Sequence, residues 1–226
     1  MTEKQTLLTN HLAQFVSDHK KEFVDRVLDQ RTRYVTIVLE NIYQSQNASA
    51  TLRTAECMGL QEVHIVENTA KYQLNIRVLK GADKWLDIHR YRTRGENNTE
   101  TCFAKLRAGG YKIFVADPAE DGVSIDDLDV NQKIALVFGN ELRGVSDYAV
   151  EHADGKMRIP MYGFTESLNI SVSVAISLNS IMKKLRESTI DFRLGEEEKR
   201  LIRLEWYRKI VRRSDLLERE FLRTIE

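Results

Sequence analysis

Tyr34–Leu39 (YVTIVL) and Ile134–Phe138 (IALVF) are short, β-branched runs with almost nothing polar to turn towards water. Chains bury such strands on both faces, inside a sheet covered by helices, so these two runs restrict the fold more than any other feature. Between and beyond them, helical-period segments alternate with further strand signals. Asn47 is expected to cap a helix over Ala48–Met58 that stops at Gly59, and Val63–Glu67 reads as a strand. Trp85–Tyr91 is a third strand, Thr99–Ala108 a helix closed by Gly109-Gly110, and Lys112–Ala116 another strand. Ser146 caps a short helix to Ala153, Lys156–Ile159 is a strand ending at Pro160, and a long helix runs from Ile170 to Glu187. Strands alternating with helices predict an α/β fold: a mainly parallel sheet with helices on both faces. The flanks read as helix, over residues 5–30 and over Glu196–Arg223. The chain divides accordingly into an N-terminal helical extension (1–33), a central domain (34–187) and a C-terminal helical extension (188–226).

Net charge is zero over 226 residues, yet it is unevenly spread: +1 over residues 1–34, −4 over 35–182 and +3 over 183–226. The last helix carries Arg200, Arg203, Arg208, Lys209, Arg212 and Arg213 around Trp206 and Tyr207. Basic residues interleaved with aromatics suit RNA backbone contact and base stacking; equally, the two rings can pack the helix on a core while the basic face points outward. No apolar run approaches the ~20 residues of a membrane helix, and the N-terminus lacks the apolar core of a secretory signal. Cys57 and Cys102 form no C-x-x-C pair, and Cys57 is expected as a buried thiol, which implies a reducing, cytoplasmic compartment. The five histidines are scattered with none at H-x-x-x-H spacing, so no metal site is expected.

Three loops carry the chemistry. In Phe138-Gly139-Asn140-Glu141-Leu142-Arg143-Gly144-Val145-Ser146 a buried strand enters a loop bounded by glycines and then a helix cap, the outline of a nucleotide cradle. Val145 stands where the phosphate-binding lysine of G-x-x-x-x-G-K-[ST] would be, which argues against a nucleotide triphosphatase, and no G-x-G-x-x-G is present. The second loop, Ile159-Pro160-Met161-Tyr162-Gly163-Phe164-Thr165-Glu166-Ser167-Leu168-Asn169, opens the long helix, with Ser167 and Asn169 both able to cap it. The third, Asn47-Ala48-Ser49-Ala50-Thr51-Leu52-Arg53, places an arginine about one and a half turns beyond Asn47. Pro118 and Pro160 both follow strands, where loops at the carboxyl edge of a sheet form a ligand crevice.

In this order the three stretches resemble the motifs N-x-x-A-x-x-R, F-G-x-E-x-x-G and I-P-M-x-G-x-x-x-S-L-N-x-S of the SPOUT-class RNA ribose 2′-O-methyltransferases, from about Tyr34 to Glu187. Ser173-Val174 before Ala175 departs mildly from the alanine-rich turn of that family. The resemblance implies a C-terminal deep trefoil knot and a homodimer with its active site at the subunit interface. It also implies S-adenosylmethionine as methyl donor, held by the loop at Ala116, by Gly139 and Asn140, and by the segment from Ile159 to Leu168. Arg53 is the implied catalytic residue. A guanidinium is always protonated and accepts no hydrogen bond, so stabilising a developing alkoxide suits it better than acting as a base. Asn47 and Glu141 are expected to orient it, and Ser167 and Asn169 to close the cofactor loop. The helical flanks resemble those of the enzymes that methylate guanosine-18 in the D-loop of tRNA. Ribosomal RNA as substrate, and a non-catalytic knotted RNA-binding module, are the alternatives.

Overall fold

The computed structural model describes residues 1–119 and 121–225. In chain order the elements are α1 (Glu3–Ala13), α2 (Asp18–Leu28), β1 (Val35–Glu40), α3 (Ser45–Met58), β2 (Glu62–Val66), α4 (Ile76–Leu79), a 3₁₀ turn (Ala82–Trp85), β3 (Asp87–Tyr91), α5 (Asn98–Ala108) and β4 (Tyr111–Ala116). There follow β5 (Val123–Ser124), β6 (Lys133–Phe138), α6 (Asp147–His152), β7 (Gly155–Arg158), α7 (Ile170–Glu187), α8 (Glu196–Ile210) and α9 (Ser214–Ile225). They group into two compact units: residues 33–192, and a helical unit in which 1–32 and 193–226 come together.

The larger unit is an α/β domain built on a seven-stranded sheet of order β3-β2-β1-β6-β4-β7-β5, with every neighbouring pair parallel. The two most apolar runs are its centre: β1 is buried throughout and pairs with β6 from Val35↔Ile134 to Leu39↔Phe138. Alternate side chains pack opposite faces. Ile37, Leu39, Ile134 and Leu136 meet α3 and α7 through Leu52, Ala55, Leu178 and Ile181. Val38, Ala135 and Val137 meet α5 and α6 through Phe103, Leu106 and Ala149. Gly59 ends α3 in the left-handed region at φ 93°, where a side chain would be strained.

Several local expectations give way. Asn47 is not the helix cap: α3 begins at Ser45 after Gln44, which puts Asn47 in the first turn with its amide free for another task. Cys57 is exposed, because it lies two residues, roughly 200°, around α3 from the buried Ala55; Cys102 is the buried thiol. The single N-terminal helix is two, broken before Ser17, whose extended backbone restarts α2. The C-terminal helix is also two: Val211 is extended and Arg213 sits at φ 55° between α8 and α9. Strand β5 and helix α4, both very short, carried no sequence signal long enough to find them.

In the helical unit, α1 packs on α8 and α9, and α2 on α8. Leu8, Leu12, Val24 and Leu28 are buried from the N-terminal side, and Ile202, Leu204, Trp206 and Tyr207 from the C-terminal side. The Arg31 guanidinium lies 5.3 Å from the centroid of the Trp206 ring.

Candidate active site

All seven strands point the same way, so the loops that follow them collect at one edge of the sheet. There a cleft of about 480 Å³ opens, lined by residues of three distant loops: Ala116–Pro118 after β4, Phe138–Glu141 after β6, and Met157–Ile159 with Ser167–Ile170 after β7. Gln44 and Asn47 of α3 complete its wall.

The loop after β6 is a tight hairpin. Asn140 and Gly144 exchange two backbone hydrogen bonds of 2.8 Å, and the turn leaves no space at Gly139: a Cβ there would lie 2.1 Å from the Gly144 carbonyl carbon. Asn140 holds the turn in both directions, accepting from the Leu142 amide at 2.8 Å and donating to the Asn41 carbonyl at 2.8 Å. The far end is tied down by Glu40, a buried carboxylate at the end of β1 that accepts from the Ser146 amide (2.7 Å) and hydroxyl (2.8 Å) and from the Thr99 hydroxyl.

Asn47, 7% exposed, ties α3 to the loops after β6 and β7. Its Nδ2 donates to Glu141 Oε1 (2.9 Å) and Gln44 Oε1 (3.1 Å), while its Oδ1 accepts from Asn169 Nδ2 (3.1 Å). Both amide protons and the carbonyl are thus engaged, which fixes the orientation of the group. Asn169 is at the same time the cap of α7, accepting from the Ser171 amide at 2.9 Å. The second oxygen of Glu141 accepts from the Tyr43 amide at 3.4 Å.

Of the residues singled out from the sequence, Asn47, Ala116, Gly139, Asn140, Glu141, Ile159, Ser167, Leu168 and Asn169 line this one cleft. Ser167 lines it without capping α7, a role that Asn169 fills alone. Arg53 does not line it. Six residues beyond Asn47, it sits about 9 Å along the helix and roughly 240° around it, exposed and with no hydrogen bond or ion pair among the described residues. Gln44 lines the cleft without having been singled out, and Asp117 and Met161 line it within the expected loop at Ala116 and the Ile159–Leu168 segment; the position of Gln44, one helical turn before Asn47, was the available clue.

The basic C-terminal set divides. Arg203 pairs with Asp25 at 2.8 Å, and Arg208 with Glu218 at 2.6 Å and with Glu205. Trp206 and Tyr207 are each 3% exposed, so neither ring is free to stack on a base. Arg200, Lys209, Arg212 and Arg213 are exposed.

At the amino end of the sheet, away from the cleft, register brings His64 opposite His89, and with Glu62 they hold ligand-type atoms within 4.8 Å of one another. Residues 25 apart in sequence meet here through strand pairing, which histidine spacing cannot reveal. Cations and donors already crowd Glu62 and His89: Arg33 donates to Glu62 at 2.6 Å, Tyr111 at 2.7 Å, and Lys105 lies 3.1 Å from His89 Nδ1, while the buried His64 Nε2 has no hydrogen-bond partner among the described residues. Burial alone would raise the Glu62 carboxyl, but the neighbouring His64, hydrogen bonds from His89 and Tyr111 and the Arg33 charge outweigh it and hold it far below the carboxylate range. Burial lowers His64, against the pull of the Glu62 carboxylate 3.9 Å from its Nε2, so its imidazole is favoured neutral.

Residues 34–179 match the SpoU rRNA methylase family. A relative from Borreliella burgdorferi, a tRNA (guanosine(18)-2′-O)-methyltransferase, is 42% identical over 92% of this chain and 93% of its own. The enzyme of that name from Aquifex aeolicus is 30% identical over 80% of this chain and 84% of its own. Among solved structures, an A. aeolicus TrmH/SpoU tRNA modifying enzyme superposes with a TM-score of 0.74 at 28% identity, covering 85% of this chain and 98% of that one. The AviRb methyltransferase of Streptomyces viridochromogenes in complex with AdoMet shares the fold, with a TM-score of 0.60 at 23% identity over 73% of this chain and 65% of that one.

Proposed function

The chain belongs to the SpoU rRNA methylase family, and from that membership and the cleft we propose that it methylates the ribose 2′-hydroxyl of guanosine-18 in tRNA, with S-adenosylmethionine as donor. The observation that carries this reading is the hydrogen-bonded chain Glu141–Asn47–Asn169, which draws the three motif loops around one cavity. The relatives' names favour tRNA over ribosomal RNA.

The cleft suits a nucleoside. Its volume, about 480 Å³, lies within the usual range of small-molecule pockets. Met157, Ile159, Met161 and Leu168 offer apolar contact, and the backbones after β4, β6 and β7 offer hydrogen bonds. When bound, the donor would supply an electrophilic methyl group on its sulfonium, with neutral adenosylhomocysteine as the leaving group. The protein's own part is to hold the ribose oxygen in line and to stabilise its charge as the proton leaves.

Arg53 is the group for the second task, and a single protomer does not bring it to its own cleft. The dimer resolves this. Val172 and Ile176, four residues apart on α7, are 43% and 39% exposed, and Tyr162 and Phe164 in the preceding loop are 95% and 108% exposed. An apolar surface of this kind calls for a partner; α3 packs on α7 within its own protomer, so a second copy docking on this face would carry its Arg53 towards the first copy's site. Each Arg53 then serves the partner's cleft, and the protomers close two equivalent sites. A trefoil knot fits the chain's path: after β7, at one side of β4, the segment 159–169 returns past the loops after β4 and β6 before α7 begins. Arg200, Lys209, Arg212 and Arg213 supply phosphate contacts, and a tRNA substrate makes the enzyme cytoplasmic.

The test is transfer of labelled methyl groups to a tRNA transcript, with the modified ribose mapped. Arg53→Ala is expected to lower turnover roughly 10²–10³-fold, the usual cost of removing one preorganised donor, with adenosylhomocysteine affinity intact. Near-normal turnover would remove Arg53 from the mechanism. A mixed dimer of Arg53→Ala and a cofactor-site variant should regain one complete site, about half the activity of the wild-type dimer, if the arginine acts across the interface.

A further inference from the structure

A second cavity, of about 500 Å³, lies on the other side of the Asn140–Gly144 hairpin, and those two residues line both cavities. Three of its residues stand out. Tyr43 is 75% exposed, yet its backbone is fixed by the amide hydrogen bond to Glu141. Arg143 and Asp147 are exposed, and among the described residues their side chains make no hydrogen bond or ion pair. Asp147 is the only carboxylate among the residues lining this cavity. An aromatic face, a cation and a lone acceptor pair are thus held around one space, beside the loop that walls the methyl-donor cleft.

We propose that this second cavity receives the base of the target nucleotide and selects guanine. The inference rests on the methyltransferase reading above and adds the recognition step to it. Single-stranded RNA bases are read by stacking on aromatic rings and by hydrogen bonds to the Watson–Crick edge. Guanine presents two donors there, N1–H and the N2 amino group, and a carboxylate accepts both. Adenine presents an acceptor at N1, which a carboxylate repels. Asp147 therefore reads guanine, Tyr43 stacks on the ring, and Arg143 takes an adjacent phosphate. With the base on one side of the hairpin and the donor on the other, the ribose lies over Glu141, the tip residue that joins the two cavities through Asn47 and Tyr43.

The experiment compares the wild-type protein with Asp147→Asn, Tyr43→Ala and Tyr43→Phe on two tRNA transcripts, one with guanosine and one with adenosine at the target position. Adenosylhomocysteine affinity and oligomeric state are measured for each variant. Asp147→Asn should lower kcat/KM on the guanosine transcript roughly 10- to 100-fold, the discrimination carried by a bidentate base contact, and collapse the preference over adenosine. Tyr43→Ala should raise KM for tRNA about tenfold with kcat retained, and Tyr43→Phe should restore it, since stacking needs the ring and not the hydroxyl. Unchanged guanosine preference in Asp147→Asn overturns the inference, as does a normal KM in Tyr43→Ala. Dissociation of the variants into monomers overturns it too, by making this surface a subunit contact. A wild-type protein that binds adenosylhomocysteine but modifies neither transcript would instead refute the parent reading on tRNA and take this one with it.

Discussion

Gly139→Ala should weaken cofactor binding by more than an order of magnitude without unfolding the protein. The new methyl would meet the Gly144 carbonyl carbon at 2.1 Å, its oxygen at 2.2 Å and the Val145 amide nitrogen at 2.2 Å. All three are backbone atoms, which cannot rotate away as a side chain would. Relief requires the hairpin to open, which sacrifices the paired Asn140–Gly144 hydrogen bonds at about 0.5–1.5 kcal/mol each. With residual strain, typically about 1–3 kcal/mol for an overpacked site, the cost comes to roughly 2–6 kcal/mol. The loop lies at the sheet's edge and the strands behind it are anchored independently, so the cost falls on the bound state. Adenosylhomocysteine affinity should drop at least roughly 30-fold and up to about 20,000-fold, since each 1.4 kcal/mol is about a factor of ten. Calorimetric titration measures this, with circular dichroism to show that the sheet persists. Gly163→Ala is the control: its Cβ would meet nothing closer than the Thr165 nitrogen at 4.0 Å, and binding should stay within about twofold. Equal affinities for Gly139→Ala and wild type would refute the argument that this turn shapes the cleft.

Three further outcomes follow from other contacts. Asn47→Asp replaces the donor 2.9 Å from Glu141 with a second carboxylate; activity should fall at least roughly 100-fold at pH 8 and recover partly towards pH 6, as the pair comes to share a proton, and a pH-independent loss would count against it. Because the folded state depresses His64, its contribution is full above the unfolded value of about 6.5 and is lost as pH falls below it; wild-type melting temperature should decline from pH 7 to 5, with a shallower slope in His64→Gln, and identical slopes would refute this. Trp206→Ala should cost about 3–5 kcal/mol of helical-unit stability by denaturant unfolding, whereas Arg212→Ala and Arg213→Ala together should leave stability unchanged and reduce the salt dependence of tRNA binding; a steep salt dependence retained in that double variant would move the RNA surface elsewhere.

The sheet was legible because its signals are local. Ile134–Phe138 and Tyr34–Leu39 each carry enough apolar surface to force burial, and the structure pairs them side by side at the centre. Helix α7 was read to the residue because Asn169 caps it and its apolar period runs unbroken. What failed was non-local. Asn47 has the chemistry of a cap, and the same amide, drawn by Glu141 94 positions away, does different work. The breaks at Ser17 and Arg213 lie within amphipathic patterns that look continuous, because backbone conformation there changes without glycine or proline to announce it. Arg53 was picked out by its motif, but its direction from the helix depends on where α3 begins and what covers it, and neither is written in seven residues. Tyr43, Arg143 and Asp147 left no trace as a group, since only the hairpin's fold brings them together.

That residues 1–32 and 193–226 share one core has a consequence for biosynthesis. Leu8, Leu12 and Leu28 leave the ribosome first, but α8, against which α1 and α2 pack, emerges only after the whole sheet has been made. The nascent leading helices must therefore wait with greasy faces bare, and any slowing of translation in the middle of the message lengthens their exposure to chaperones and to one another.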